Sequence, residues 1–185
     1  PNGVFNLVNG YGYSVGEAFS CHPDIVMMSF TGSIQGGISV AKSSAESVKR
    51  VSQELGGKSA NIIFDDDLFE KSVTQGVLSC MENSGQSCNA PTRMLIPVNR
   101  LEESFDIAKS AANALIVGDP LDEKTDLGPL SNENQFHKVR NLIQSGIKAG
   151  AKIITGGLNH PNNLKKGYFI EPTIFSHVTE EMEIF

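Results

Sequence analysis

Short apolar runs alternate with longer amphipathic segments along the 185-residue chain. Residues 4–8 (VFNLV) read as a strand, followed by a glycine-rich turn and a short helix in NGYGYSVGEAF. Residues 24–30 (DIVMMSF) are apolar, short and followed by Thr31-Gly32, which predicts a buried strand. Residues 33–47 place Ile34, Ile38, Ala41 and Ala45 on one helical stripe. RVSQEL (50–55) predicts the next strand, Gly56-Gly57 breaks it, and NIIF (61–64) predicts another. Residues 65–85 predict a helix, with Asp65, Asp66 and Asp67 suited to its positive end and Leu68, Val73, Val77 and Met81 on its buried side.

Beyond it the pattern gives a strand at 93–97 and an amphipathic helix at 99–115 with Asn99 as its cap. A Pro-, Gly- and Asp-rich loop at 118–130 and a helix at 133–149 stopped by Gly150 follow, then strands in AKIITGG and YFIEPTIF. Strands alternating with helices imply βαβ units and a mostly parallel sheet, an α/β fold. Two adjacent glycines let the backbone change direction, so a domain border is expected at Gly56-Gly57.

Composition narrows the classes. Hydrophobic residues make up 39% and charged residues 19%, an ordinary globular balance. The net charge of −6 and the lack of a basic block argue against a nucleic-acid partner. No apolar run approaches the ~20 residues of a membrane span, so no membrane partner is expected. Cys21, Cys80 and Cys88 are too few and too odd for a disulfide framework, and fit reduced thiols in the cytoplasm. Four scattered histidines show no metal-ligand spacing, and no metal site is expected. The chain opens on Pro1 within an apolar run and closes on EMEIF without a cap, and reads as an internal piece of a longer protein.

Three stretches carry candidate chemistry. In FTGSIQGG (30–37) a strand ends, Gly32 turns the chain and a helix begins at Ser33, so free backbone N–H groups could seat a phosphate. The G-x-G-x-x-G spacing is absent, and taken alone the stretch reads better as a plain strand–turn–helix connection. In ELGGK (54–58), Glu54 stands at the carboxyl end of a strand, where open α/β sheets place their ligand crevice. It is either a water-activating carboxylate or a surface residue before a turn. In NSGQSCNAP (83–91), Cys88 follows Gly85-Gln86-Ser87 at a helix–strand junction, where backbone N–H groups can gather round a thiolate. Cys80, inside the preceding helix, reads as core, and Cys21 as a loop thiol without a role.

Together FTGS with Gly37, ELGGKS (54–59), NSGQSCNAPTR (83–93), GDP…TDLGPL (118–130), GYFIEPT (167–173) and EIF (183–185) resemble the aldehyde dehydrogenase superfamily over the whole chain. The resemblance implies the end of a Rossmann-like NAD(P)-binding domain over residues 1–57 and the first part of the catalytic domain over 58–185. It implies that Cys88 attacks an aldehyde to give a thiohemiacetal and then a thioester, and that Glu54 activates the hydrolysing water. Ser33 would touch the cofactor pyrophosphate, with Gly32 and Gly37 shaping the turn. Leu55 would meet the nicotinamide amide through its backbone, Glu183 would hold the nicotinamide ribose and Phe185 would pack beside the ring.

A small-molecule aldehyde, NAD or NADP, and a homodimeric or homotetrameric parent are implied. Glu54 favours hydrolysis, since members that acylate coenzyme A typically lack a carboxylate there. Acyl transfer to coenzyme A and a non-catalytic, crystallin-like use of the fold are the alternatives. The family's oxyanion asparagine and adenosine-ribose segment find no counterpart in these residues, so the chain by itself is expected to be inactive. Ile34 stands where Thr is commoner.

Overall fold

The computed structural model describes residues 1–161, 164 and 166–185. The chain divides into two compact units, Pro1–Gly57 and Lys58–Phe185.

The first unit is built on one βαβ unit. Strand β1 (Met27–Gly32) pairs in parallel with β2 (Arg50–Leu55), from Met27 opposite Arg50 to Gly32 opposite Leu55. Helix α2 (Ile34–Ala45) connects them, and α1 (Glu17–Cys21), entered through a π-helical turn at Gly12–Gly16, lies against α2. Ser43 Oγ donates to Glu17 Oε1 at 2.8 Å, and Lys49 Nζ donates to the His22 carbonyl at 2.6 Å, so α1 is tied to the last turn of α2 and to the segment that follows it.

Three sequence expectations fail here. Residues 4–8 form no strand, and Val4, Phe5, Leu7 and Val8 are exposed; an isolated extended run without a ladder partner has no stable pairing. Strand β1 begins at Met27 rather than residue 24 and is not buried, Val26 and Met27 being exposed. The α2 stripe Ile34, Ile38, Ala41, Ala45 is exposed as well, and the buried face is Gly37, Val40 and Ser44. Small residues let the helix lie close to its neighbours, so size rather than hydrophobicity chose that face.

In the second unit α3 (Phe69–Met81) and α4 (Leu101–Asn113) pack on each other beside the parallel pair β3 (Ala60–Ile62) and β4 (Arg93–Leu95). Ile63, Phe69, Val73, Val77, Ala108, Ala111 and Ala112 form the core, with Met81, Met94 and Ile96 against it. Phe69, not the exposed Leu68, is the anchoring side chain of α3. Asn99 is no helix cap: it lies in a 3-10 turn (Val98–Arg100), and its amide donates to Asp65 Oδ2 at 2.7 Å. Arg100 lies 3.8 Å above the Phe69 ring and pairs with Asp65 and Glu103, which joins the starts of α3 and α4.

Helix α5 (Glu133–Lys148) is capped by Asn132 and ends before Gly150 at φ +96°. Strands β5 (Lys152–Thr155) and β6 (Ile174–Ser176) pair antiparallel with a register shift, against the expectation of parallel pairing; only the end of the YFIEPTIF run is strand. Among the described residues between them no helix forms, and a parallel pairing would need a crossover connection. Among the described residues no helix is long and apolar enough to cross a membrane.

Candidate active site

In the first unit the site residues gather at the carboxyl ends of β1 and β2. Gly32 ends β1, and Ser33 caps α2: its backbone is extended (φ −73°, ψ 155°) and its Oγ accepts from the Gly36 N–H at 3.1 Å. That is the standard first-turn cap, and it leaves the hydroxyl proton available to a further acceptor. Among the described residues the Ile34 and Gln35 N–H groups make no hydrogen bond. A free hydroxyl donor beside unpaired N–H groups at a helix start fits a phosphate.

Gly37 is needed for space rather than for the turn. A Cβ there would lie 2.8 Å from Leu55 Cδ2, and its carbonyl accepts from Gln53 Nε2 at 2.6 Å. Gln53 and Leu55 thus face α2. Glu54 lies on the opposite, exposed face of β2, in register with Thr31.

In the second unit Cys88 is exposed at the tip of a turn closed by Ala90 N–H donating to the Ser87 carbonyl at 3.2 Å. The thiol therefore stands on backbone and does not pack into the core. The Cys88 N–H makes no hydrogen bond among the described residues, and remains available to an oxyanion.

The chain reaches this turn through a left-handed bend: Asn83, Ser84 and Gly85 have φ of 53°, 56° and 71°. Left-handed backbone costs a residue other than glycine about 1–2 kcal/mol, least for Asn. The bend is held from outside. Ser84 Oγ donates to the Gly128 carbonyl at 2.9 Å, and Gln86 Oε1 accepts from the Ser131 N–H at 2.9 Å. These contacts span 44 and 45 residues of sequence, and sequence reasoning missed them. Their only trace in the chain is that Gly-Gln precedes Cys88 and that Leu-Gly-Pro-Leu follows far downstream.

Behind the bend lies a cavity of about 390 Å³, lined among others by Lys58, Cys80, Ser84, Gln86 and Gly128. Burial pushes the Cys80 thiol up, with the Lys58 ammonium partly opposing it, and burial lowers Lys58. Cys80 is thus half-buried beside a cation and is not a plain core residue. Cys21 ends α1 and does not lie in a loop; its Sγ is 3.5 Å from Glu17 Oε1, and its thiol is raised.

Glu183 and Phe185 fall on different neighbours. Glu183 Oε2 accepts from Ser145 Oγ of α5 at 2.8 Å. The Phe185 ring lies 5.1 Å from the guanidinium of Arg93, the first residue of β4. Arg93 also donates from Nε to the Lys58 carbonyl at 2.8 Å. Among the described residues no hydrogen bond or ion pair joins Cys88 to Glu183.

The model of the aldehyde dehydrogenase family matches residues 1–185. The chain belongs to the aldehyde dehydrogenase family. It is 50% identical to the 3-succinoylsemialdehyde-pyridine dehydrogenase of a Pseudomonas species over 184 residues, covering all of this chain and 39% of that protein. It is 44% identical to a putative aldehyde dehydrogenase of Staphylococcus epidermidis over the same share.

Among solved structures, a cysteine-to-alanine mutant of aldehyde dehydrogenase C from Pseudomonas syringae, in complex with NAD+ and octanal, superimposes with a TM-score of 0.95 at 49% identity. The match covers 98% of this chain and 37% of that one. The aldehyde dehydrogenase of Bartonella henselae matches with a TM-score of 0.93 at 44% identity, over 98% and 38%. This aldehyde dehydrogenase chain thus has the α/β fold of the family and spans about 39% of the length of the curated relatives it matches.

Proposed function

We propose that the protein to which this chain belongs oxidises an aldehyde to a carboxylic acid with NAD+ or NADP+, through a thioester on Cys88. The observation that carries the reading is the exposed Cys88 on a braced turn with an uncommitted N–H, in a chain that matches the family from end to end. The NAD+ complexes of solved relatives support NAD+ over NADP+. On this reading Pro1–Gly57 is the last part of the cofactor domain and Lys58–Phe185 the first part of the catalytic domain. The protein then works as a homodimer or homotetramer in the cytoplasm, where the three cysteines of this chain stay reduced.

Cys88 adds through sulfur to the aldehyde carbon, and its N–H receives the oxyanion of the thiohemiacetal; one such donor is worth roughly 10²–10³ in rate. A nicotinamide held there would supply the hydride acceptor, and loss of hydride from the oxyanion formed by the Cys88 thiolate would leave a thioester on Cys88. Glu54 takes a proton from water, which attacks the thioester and releases acid and thiol, a contribution of about 10²–10⁴. Ser33 and the Ile34 and Gln35 N–H groups would hold the pyrophosphate. Gly32 ends the strand before the cap, and Gly37 sets the helix start against Leu55, whose backbone would meet the nicotinamide amide. Glu183 would hold the nicotinamide ribose and Phe185 would pack beside the ring.

The test is Cys88→Ala in the full-length protein. Aldehyde-dependent NADH formation should vanish, with the Kd for NAD+ changed by less than about threefold, as expected for a group that acts on the aldehyde alone. Retained turnover contradicts the reading. With wild-type protein, free acid as product supports Glu54 as the hydrolytic base, and an acyl-coenzyme A product excludes it.

A further inference from the structure

We infer that Ser84 and Gln86 are positioning residues, which brace the Cys88 turn against the segment from Gly128 to Ser131 and so set where the sulfur and the Cys88 N–H point. The inference rests on Cys88 being the nucleophile. It goes beyond that role by assigning the group that holds it.

The bend through Asn83, Ser84 and Gly85 is left-handed at three consecutive residues, and only two of them are of a type that adopts this backbone readily. Such a conformation lasts only where the surroundings impose it. Two side chains on either side of Gly85 do so. Ser84 Oγ donates to the Gly128 carbonyl, and Gln86 Oε1 accepts from the Ser131 N–H, both at 2.9 Å. Gln86 also closes the bend on itself, its backbone N–H donating to the Asn83 carbonyl at 3.1 Å and its Nε2 to the same oxygen at 3.3 Å.

The far side of the brace is itself fixed. Leu127 N–H donates to the Ile116 carbonyl at 3.0 Å, Asp126 Oδ2 accepts from the Ile116 N–H at 2.8 Å, and Leu130 N–H donates to the Tyr168 carbonyl at 2.9 Å. Gln86 stands two residues from Cys88, too near for a displacement at one to be absorbed before the other. A nucleophile shifted by 1 Å loses on the order of 100-fold in rate, so the brace bears on kcat through the placement of Cys88.

The experiment compares Ser84→Ala and Gln86→Met with Ser84→Thr and Gln86→Glu in the full-length protein. Thr keeps the hydroxyl donor, and Glu keeps an acceptor for the Ser131 N–H. Three quantities are read: kcat and KM for aldehyde, the Kd for NAD+, and the rate of Cys88 alkylation by iodoacetamide from pH 6 to 9, located by peptide mass.

Ala and Met should lower kcat by about 10- to 100-fold. They should slow or pH-shift alkylation of Cys88 and leave the Kd for NAD+ within about threefold. Thr and Glu should restore both rates. The inference is overturned if Ala and Met keep wild-type kcat and alkylation, or if their losses follow only a fall in Tm and the conservative variants restore nothing. Alkylation reads the thiol whether or not Cys88 is catalytic. A Cys88→Ala protein that still turns over therefore sinks the nucleophile assignment separately from the brace.

Discussion

Gly37 and Gly85 stand beside the two halves of the proposed chemistry, and they are glycines for opposite reasons. Gly37 has ordinary helical backbone but no room, a Cβ there meeting Leu55 at 2.8 Å. Gly85 has room, its nearest neighbour being the Cys80 carbonyl at 3.7 Å, but its φ of +71° disfavours any side chain. The helix start at Ser33 is accordingly held by neighbours: a cap three residues long and the end of the adjacent strand. The cysteine turn is held by a segment more than 40 residues away. The cofactor side is a local structure, and the nucleophile side is a long-range one.

The contrast can be broken at either glycine. Gly37→Val overpacks the contact of α2 with β2 and should cost about 1–3 kcal/mol, read as a lower denaturation midpoint, with weaker NAD+ binding and Cys88 alkylation unchanged. Gly85→Ala should cost about 1–2 kcal/mol through backbone conformation alone and should slow Cys88 alkylation. Gly85→Asn, of a type that tolerates left-handed backbone, should cost less than Ala; equal costs would mean that space, not φ, matters there. Ser33→Ala removes the cap and should cost about 0.5–2 kcal/mol, with a higher Kd for NAD+ and an unchanged rate of Cys88 alkylation.

The smallest expected effect lies at the start of α3. The Asn99 amide and then Arg100 hold the Asp65 carboxyl below its usual range, and Arg100 does the same for Glu103. Carboxylates in the unfolded chain therefore protonate first as pH falls. The contribution is complete above about pH 5 and is lost progressively as acid titrates the folded groups. Both side chains are exposed, so the change in Tm should be slight, and it should shrink further in Glu103→Gln. An acid limb identical in wild type and variant would remove the pair from the account.

Legibility followed the same division. Strand β2 runs from Arg50 to Leu55 as its pattern predicts, and α2 and α5 fall within a few residues of the segments predicted for them, α5 ending before Gly150, because these signals are local. Residues 4–8 look like a strand but form none, since a strand is defined by a partner that its own pattern does not encode. The apolar stripe does not mark the buried face of α2, because two of that face's three residues, Gly37 and Ser44, carry no apolar side chain. Cys88, Glu54 and Ser33 stand out by type and setting. Ser84 and Gln86 do not, because nothing in one sequence links them to Gly128 and Ser131.

The most direct measurement is peptide mapping of the full-length Glu54→Gln protein after incubation with an aldehyde and NAD+. The account predicts that NADH forms in a single burst and that an acyl group accumulates on Cys88, since the thioester forms but water is no longer activated. Steady turnover at the wild-type rate, or an acyl group on Cys80 or Cys21 instead, would contradict it.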